Sequence, residues 1–151
     1  MKAELSPLKL HDFLILNYQF DFKIPKREIR DLEKLFSSYS VEVDFEFKVD
    51  EDSDMFMVEL FLKINGSGRR KAGYVISAAC SGVFSLEESN LSEDAKANLR
   101  SFSSVNILIG QLRNFIAQQT ALAPFGVYWL PPINILDLHN KKLAALEAQQ
   151  S

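Results

Sequence analysis

The chain is poor in the residues from which catalytic and metal centres are built. It has one cysteine, Cys80, and two histidines, His11 and His139, in 151 residues. A lone cysteine excludes an intramolecular disulfide and fits a reducing compartment, so the expected localisation is cytoplasmic. The two histidines lie far apart and outside any metal-binding spacing. With a single thiol beside them no zinc site is expected, and each reads as an ordinary surface histidine. The chain has no Gly-x-Ser-x-Gly elbow, and nothing in it pairs a cysteine with a histidine. No sign of charge dominates: 17 Lys and Arg stand against 20 Asp and Glu, a formal net charge of −3. That balance gives no reason to expect nucleic acid as a partner. Long hydrophobic runs are missing too. The longest uncharged stretch, 114–136, contains Gln118, Gln119, Thr120, Pro124, Pro131 and Pro132, which makes it a poor membrane span. Residues 1–8 carry Glu4 and Pro7 and no apolar run, so no signal peptide is expected.

What the chain does have is apolar bulk in a clear pattern. It is 47% hydrophobic, with 12 Phe against one Trp and four Tyr, enough for the core of one ordinary domain over 1–151. Residues 13–24 alternate, with Leu14, Leu16, Tyr18, Phe20, Phe22 and Ile24 on one face. Asn17, Gln19, Asp21 and Lys23 lie on the other face, with Phe13 and Ile15 as its apolar end. This predicts a half-buried strand. Pro25 stops it, and 26–38 switches to helical spacing through Ile29, Leu32, Leu35 and Phe36. Residues 40–49 alternate again, with Val41, Val43, Phe45, Phe47 and Val49 opposite Glu42, Asp44, Glu46 and Lys48. Strands are predicted over 55–64 and 70–86, joined by the turn Asn65-Gly66-Ser67-Gly68. Ser92 followed by Glu93 and Asp94 caps a helix running to about residue 119, with a weak helix former over 101–106. A last helix covers 135–149. The expected fold is α+β: a four-stranded antiparallel sheet with two C-terminal helices on one face, plus a short helix between strands one and two.

The fourth strand is small on both faces through Ser77-Ala78-Ala79-Cys80-Ser81-Gly82. Small side chains admit a close neighbour, either the chain's own helices or another subunit. Ser77, Ala79, Cys80 and Ser81 are therefore candidate oligomer-interface residues. The acidic run Asp50-Glu51-Asp52-Ser53-Asp54 begins like a calcium loop, but Met55 stands where Gly is needed and Phe61 where Glu is needed. A solvated hairpin turn explains it better. Gly66-Ser67-Gly68-Arg69-Arg70-Lys71 lacks the spacing of a phosphate loop and precedes a strand where such a loop precedes a helix. Glu42, Asp44 and Glu46 alternate onto an exposed face, where general acid or base work gains no shifted carboxyl. The residues therefore call for no cofactor and no metal, and they suggest no enzyme.

The segment that stands out is 121–135, Ala-Leu-Ala-Pro-Phe-Gly-Val-Tyr-Trp-Leu-Pro-Pro-Ile-Asn-Ile. Three prolines and a glycine bar regular structure, yet it carries Phe125, Tyr128, Trp129, Leu130 and Ile133. Such a segment either packs as a lid over the core or offers hydrophobic surface to a partner.

An ordered set of pieces in the second half resembles the SecB family of export chaperones. These are Ser81-Gly82-Val83-Phe84-Ser85-Leu86, Asn106-Ile107-Leu108, Arg113, Phe125, and Leu130-Pro131-Pro132-Ile133-Asn134-Ile135, spread over 74–138. The resemblance implies a chaperone assembled as a homotetramer, a dimer of dimers. Such a chaperone holds unfolded proteins or preproteins in hydrophobic grooves without ATP and passes them to SecA for translocation. It also implies that Phe125, Tyr128, Trp129, Leu130 and Ile133 line the client-binding groove. The chain departs from typical members in the helix over 26–38, in its mild acidity, in Ser77 where the SecA-facing surface has a Glu, and in lacking an acidic tail. These departures weigh against SecA docking and leave client holding intact. Two other readings stand beside it: a SecB-like chaperone dedicated to one partner such as an antitoxin, and a small-molecule-binding or enzymatic α+β domain with the aromatic segment as a pocket wall.

Overall fold

The computed structural model describes residues 1–87 and 90–150. Four strands form one sheet: β1 (Leu8–Lys23), β2 (Val41–Val49), β3 (Met55–Ile64) and β4 (Gly73–Leu86). The strand order is β1-β4-β3-β2 and every neighbouring pair is antiparallel. The helices are α1 (Leu32–Ser37), α2 (Glu93–Asn98), α3 (Ser104–Thr120) and α4 (Ile135–Gln150), with a π-helical turn, Leu99–Ser103, between α2 and α3. The α+β architecture expected from the sequence is the one found.

Strand order explains the helix between β1 and β2. These strands occupy opposite edges, so the chain must cross three inter-strand spacings, roughly 14 Å, after β1. Residues 24–40 make that crossing and α1 lies within them. The helix is shorter than the 26–38 expected. Its start is set by Asp31, whose side chain accepts from Lys34 N at 3.0 Å.

The strict alternation expected for β1 is not kept. The register against β4 slips between Leu10 and Asp12 and again between Ile15 and Asn17, leaving His11 and Leu16 as extra residues in two bulges. Each bulge reverses the phase. Phe13 and Ile15 therefore pack toward the core, while Leu14 and Leu16 are about half exposed. The face assigned to Leu14 and Leu16 from period two alone is corrected accordingly. Phe13 opposes Gly82 and Ile15 opposes Cys80 on the inner face of β4.

The inner face of the sheet carries Phe56, Val58, Leu60, Leu62 and Ile64 from β3, and Tyr74, Ile76, Cys80 and Phe84 from β4. Helix α3 lies on this face with Val105, Leu108, Ile109, Leu112 and Ile116 buried. Each of these large side chains contributes about 2 kcal/mol by leaving water. The small stretch of β4 is what lets α3 approach. A Cβ on Gly82 would come within 2.5 Å of Leu108 Cδ2 and 2.8 Å of the Phe84 ring. Close packing by the chain's own helix thus accounts for the small residues on that face.

Both hairpins are held by their turn chemistry. In the β2–β3 turn, Asp50 Oδ1 accepts from Asp52 N at 3.1 Å and Ser53 Oγ from Met55 N at 3.1 Å. Asn65 opens the β3–β4 connection with φ +55° and is buried. Its side-chain amide donates to the carbonyls of Lys71 and Tyr74 and accepts from Lys71 N, so its burial leaves no group unpaired. The weak helix former expected over 101–106 appears as the π-helical turn that offsets α3 from α2. Gly110 sits in the middle of α3, where glycine costs about 1 kcal/mol relative to alanine. A Cβ there would meet nothing within 4 Å, so the chain's own packing does not require it. Among the described residues no helix is long and apolar enough to cross a membrane.

Candidate functional site

The proline-rich segment after α3 is irregular in backbone but firmly held. Thr120 Oγ1 accepts from Tyr128 N at 2.9 Å and donates to Ile116 O at 2.8 Å. The Tyr74 hydroxyl accepts from Phe125 N and donates to Gly126 O, each at 2.8 Å. Arg113 Nε donates to Leu130 O at 2.8 Å. Gly126, at φ +73°, supplies the left-handed residue that turns the chain back across the sheet. These bonds satisfy backbone groups that proline-rich sequence cannot pair within itself.

Pinned this way, the segment presents alternate residues to opposite sides. Tyr128 and Leu130 are each only 2% exposed and belong to the core, while Trp129 is 64% exposed and Val127 38%. Phe125 and Ile133 are half-buried against the core. Of the five candidate client-binding residues, Trp129 therefore lies open, Phe125 and Ile133 are partly open, and Tyr128 and Leu130 support them from beneath.

Beneath the segment lies an aromatic floor. The Phe36 ring of α1 stands 5.2 Å from Tyr128 and 5.4 Å from Tyr74, and Phe125 stands 5.2 Å from Phe22. Between α1 and the open side of the segment is a depression of about 470 Å³, walled by Leu32, Phe36, Val127, Trp129 and Pro131. It does not end there. Pro131 also borders a second hollow with Val41, Val43, Ile133 and Leu138. Val43 and Leu138 border a third, which shares Phe45 and Leu146 with a fourth beside Phe47 and His139. The last three of these hollows lie between β2 and α4, and their walls mix apolar residues with Glu42, Asp44, Glu46, Asp137, Lys141 and Lys142; the Lys142–Asp44 pair and the His139–Phe45 contact bridge β2 and α4 among them. Among the described residues β2 pairs with β3 alone, so its outer backbone edge is unpaired.

Helix α4 is a loosely seated wall, since none of its residues is buried. Leu136, Leu143 and Leu146 are exposed, as are Phe47 and Val49 at the end of β2. Ile135 and Leu138 pack against the core, and His139 and Lys142 add to the seating. His139 packs 4.3 Å from the Phe102 ring and 4.6 Å from the Phe45 ring, and its Nε2–H donates to Ser101 O at 3.0 Å. Burial holds the His139 pKa below its ordinary value, against the opposing pull of that carbonyl bond. Lys142 pairs with Asp44 at 2.6 Å and sits 5.7 Å above the Phe45 ring.

Burial pushes the Tyr128 phenol up to about 12 and raises Tyr39 and Tyr74 above the usual phenol range, so all three stay protonated donors near neutral pH. Cys80 is buried on the helix-facing side of β4, its thiol also pushed up to about 12 by desolvation. It faces away from Ser77, Ala79 and Ser81, which lie on the opposite face of the sheet. Among the described residues no group of three or more His, Cys, Asp or Glu side chains is placed to hold a metal ion.

Sequence reasoning centred the site on 121–135 and left out the other half of the groove: Leu32 and Phe36 of α1, Val41, Val43 and Phe45 of β2, and the leucines of α4. Their alternation was visible, but which strand forms the sheet edge is decided by long-range pairing.

No protein-family model and no characterised protein sequence matches the chain. The fold has solved counterparts. The structure of the Mycobacterium tuberculosis Rv1957 SecB-like chaperone, in complex with a ChAD peptide from the Rv1956 HigA1 antitoxin, superposes with a TM-score of 0.58 at 13% identity. The match covers 84% of this chain and 88% of that one. A protein of unknown function from Streptococcus agalactiae matches with a TM-score of 0.44 at 19% identity, over 83% of this chain and 97% of that one. The chain therefore has the four-stranded, helix-backed fold of a SecB-like chaperone.

Proposed function

We propose that this protein is an ATP-independent holdase that binds unfolded segments of client proteins in the groove between β2, the 121–135 segment and α4. The observation that carries this reading is the row of neighbouring hollows, sharing lining residues, that runs from Trp129 past Pro131 and Val43 to Phe47. Such a row, part apolar and part charged, with an unpaired strand edge on one side and a helix without buried residues on the other, suits an extended chain of varied sequence. A small-molecule site would call for an enclosed cavity, and these hollows are open to solvent. Trp129 and Val127 supply open apolar contact at one end, and Leu143, Leu146 and Phe47 at the other.

Holding of this kind needs neither catalysis nor a cofactor, and it fits a cytoplasmic protein serving preproteins before translocation, assembled as a dimer of dimers. A second reading is a chaperone dedicated to one partner. It is favoured by the SecB-like neighbour, which is bound to a peptide from an antitoxin. Ser77 stands where the family's SecA-facing surface carries a Glu, and this also favours a dedicated partner over handover to SecA.

The test is suppression of aggregation of an unrelated unfolded protein, without nucleotide, with the fluorescence of the single tryptophan followed in parallel. Suppression together with a blue shift of Trp129 emission supports general holding. Binding confined to one natural partner, with no general suppression, selects the dedicated chaperone. No suppression and no shift with any unfolded chain removes the groove from the account.

A further inference from the structure

The formal net charge of −3 conceals a separation of charge along the strands. Residues 23–30, which carry the chain out of β1, and residues 63–71, which lead from β3 toward β4, lie at one end of the sheet. Together they hold eight of the chain's 17 Lys and Arg and a single acid, Glu28. The opposite end carries Glu87 and the Asp50–Asp54 turn with its four carboxylates. All eight basic side chains are exposed. Elsewhere Lys9, Lys48, Lys96, Lys141 and Lys142 each pair with a carboxylate, but among the described residues none of these eight does. They are nonetheless held at one place. Lys23 Nζ donates to Arg70 O at 3.0 Å, and Lys71 Nζ donates to Ser38 O at 2.9 Å.

Among these cations the sheet face turned away from α3 holds a hollow of about 180 Å³. Gln19, Ser77 and Lys63, neighbours across β1, β4 and β3, border it together with Asp21 and Arg70. Asp21 shares the hollow with Lys63 and Arg70 without pairing with either, so both cations are left facing the opening. We propose that this basic end is a docking surface for an acidic segment of another protein, one of whose carboxylates enters the hollow between Lys63 and Arg70. The two cations attract the carboxylate, and the Ser77 hydroxyl and Gln19 amide offer neutral donors to its oxygens. Asp21 sets the class of ligand. It repels a phosphate chain, in which every unit is charged, whereas a peptide alternates its carboxylates with backbone N–H groups that Asp21 can accept from. No aromatic side chain borders the hollow, so nucleic-acid bases would find nothing to stack on. Small-molecule pockets enclose about 300 Å³ or more, and this smaller hollow takes a single group of a larger partner. The field of eight cations at one end draws such a partner in and orients it. The surface lies apart from the groove, and its occupation is independent of client holding.

The experiment is fluorescence anisotropy of the full chain with a short labelled peptide of alternating Glu and Gly. The matching Gln and Gly peptide and a single-stranded RNA are run beside it. The wild-type chain is expected to bind the acidic peptide far more tightly than either, and severalfold more weakly as salt rises from about 50 to about 200 mM. The Lys63→Glu/Arg70→Glu double variant is expected to lose about tenfold or more in affinity, and Arg70→Gln alone severalfold. Lys2→Glu/Lys9→Glu reaches the same net charge with the basic end intact and is expected to bind close to the wild-type level. All four positions are exposed, and circular dichroism checks each fold. No binding of the acidic peptide, binding of RNA as tight as that of the peptide, or equal losses in the two folded double variants overturns the proposal. So does a Lys63→Glu/Arg70→Glu chain of lower mass than the wild type in sedimentation, since the occupant would then be the Asp50–Asp54 end of a second copy.

Discussion

The hydroxyl of Tyr74, on the central strand β4, donates to the carbonyl of Gly126 at 2.8 Å and in the same place accepts from Phe125 N at 2.8 Å. One phenol thus ties the sheet to the start of the segment that carries Trp129. Its ring also stands 5.4 Å from Phe36 of α1, so sheet, crossing helix and segment meet on it. The groove mouth owes its shape to that junction.

Removing the hydroxyl separates this tie from the ring packing. Tyr74→Phe leaves the Phe125 N–H and Gly126 carbonyl without their partner and is expected to destabilise the fold by about 1–3 kcal/mol. Urea titration measures it. The variant is also expected to hold unfolded peptide more weakly, because Trp129 loses its fixed position. Unchanged stability would show that the segment is held by packing and by its bonds to Thr120 and Arg113.

The alternation along the segment gives opposite outcomes at adjacent residues. Trp129 is open to solvent and Tyr128 is buried. Trp129→Ala is expected to change stability by no more than about 0.5 kcal/mol while weakening peptide binding severalfold. Tyr128→Ala empties a core position and is expected to cost about 3–5 kcal/mol. Thermal melts and peptide titrations on the two variants check the pair. Equal effects on both measurements would contradict the assignment of one residue to the groove and the other to its support.

Gly82 is fitted to Leu108 of α3. Its opposite neighbour Phe13 already occupies the near side. Gly82→Ala places a methyl 2.5 Å from Leu108 Cδ2 and 2.8 Å from the Phe84 ring, so α3 must shift or both side chains must leave their rotamers. The expected loss is about 1–3 kcal/mol, read as a lower urea midpoint. A neutral outcome would mean that α3 seats less tightly on β4 than the contacts indicate.

His139 makes the seating of α4 sensitive to pH. Burial lowers its pKa in the folded chain below the ordinary 6.5, so the unfolded chain binds the extra proton first as pH falls. Stability then rises with pH through the window between the folded value and 6.5, and is lost as pH drops through it. The charged groups facing it are Lys142, beside the same Phe45 ring, and Asp44, already paired with that lysine. Because no α4 residue is buried, the loss is expected as local release of the helix, with the core intact. Hydrogen exchange of α4 amides, compared at about pH 7.5 and about pH 5.5 after correction for intrinsic rates, reads it. His139→Phe is expected to abolish the difference, and a difference that survives in that variant would place the sensitive group elsewhere.

Period two and helical spacing were enough to find the elements, because burial of one face is a local pattern written residue by residue. That is why β3 was placed at 55–64, the cap at Ser92 was identified, and the last helix began at residue 135. Local pattern also showed 121–135 to be apolar and unable to form regular structure. Three things lay outside its reach. The bulges at His11 and Leu16 depend on register against β4, so no run of alternating residues reveals them. The division of 121–135 into an open Trp129 and a buried Tyr128 and Leu130 depends on Tyr74 of β4 and Arg113 and Thr120 of α3 bonding its backbone from two other elements. The groove itself exists because β2, far from β1 in the strand order, is left at an edge beside α4. Alternation, capping and turn chemistry act between near neighbours in the chain and can be read in order. Edges, registers and grooves arise between residues distant in the chain, and only the packed sheet decides them.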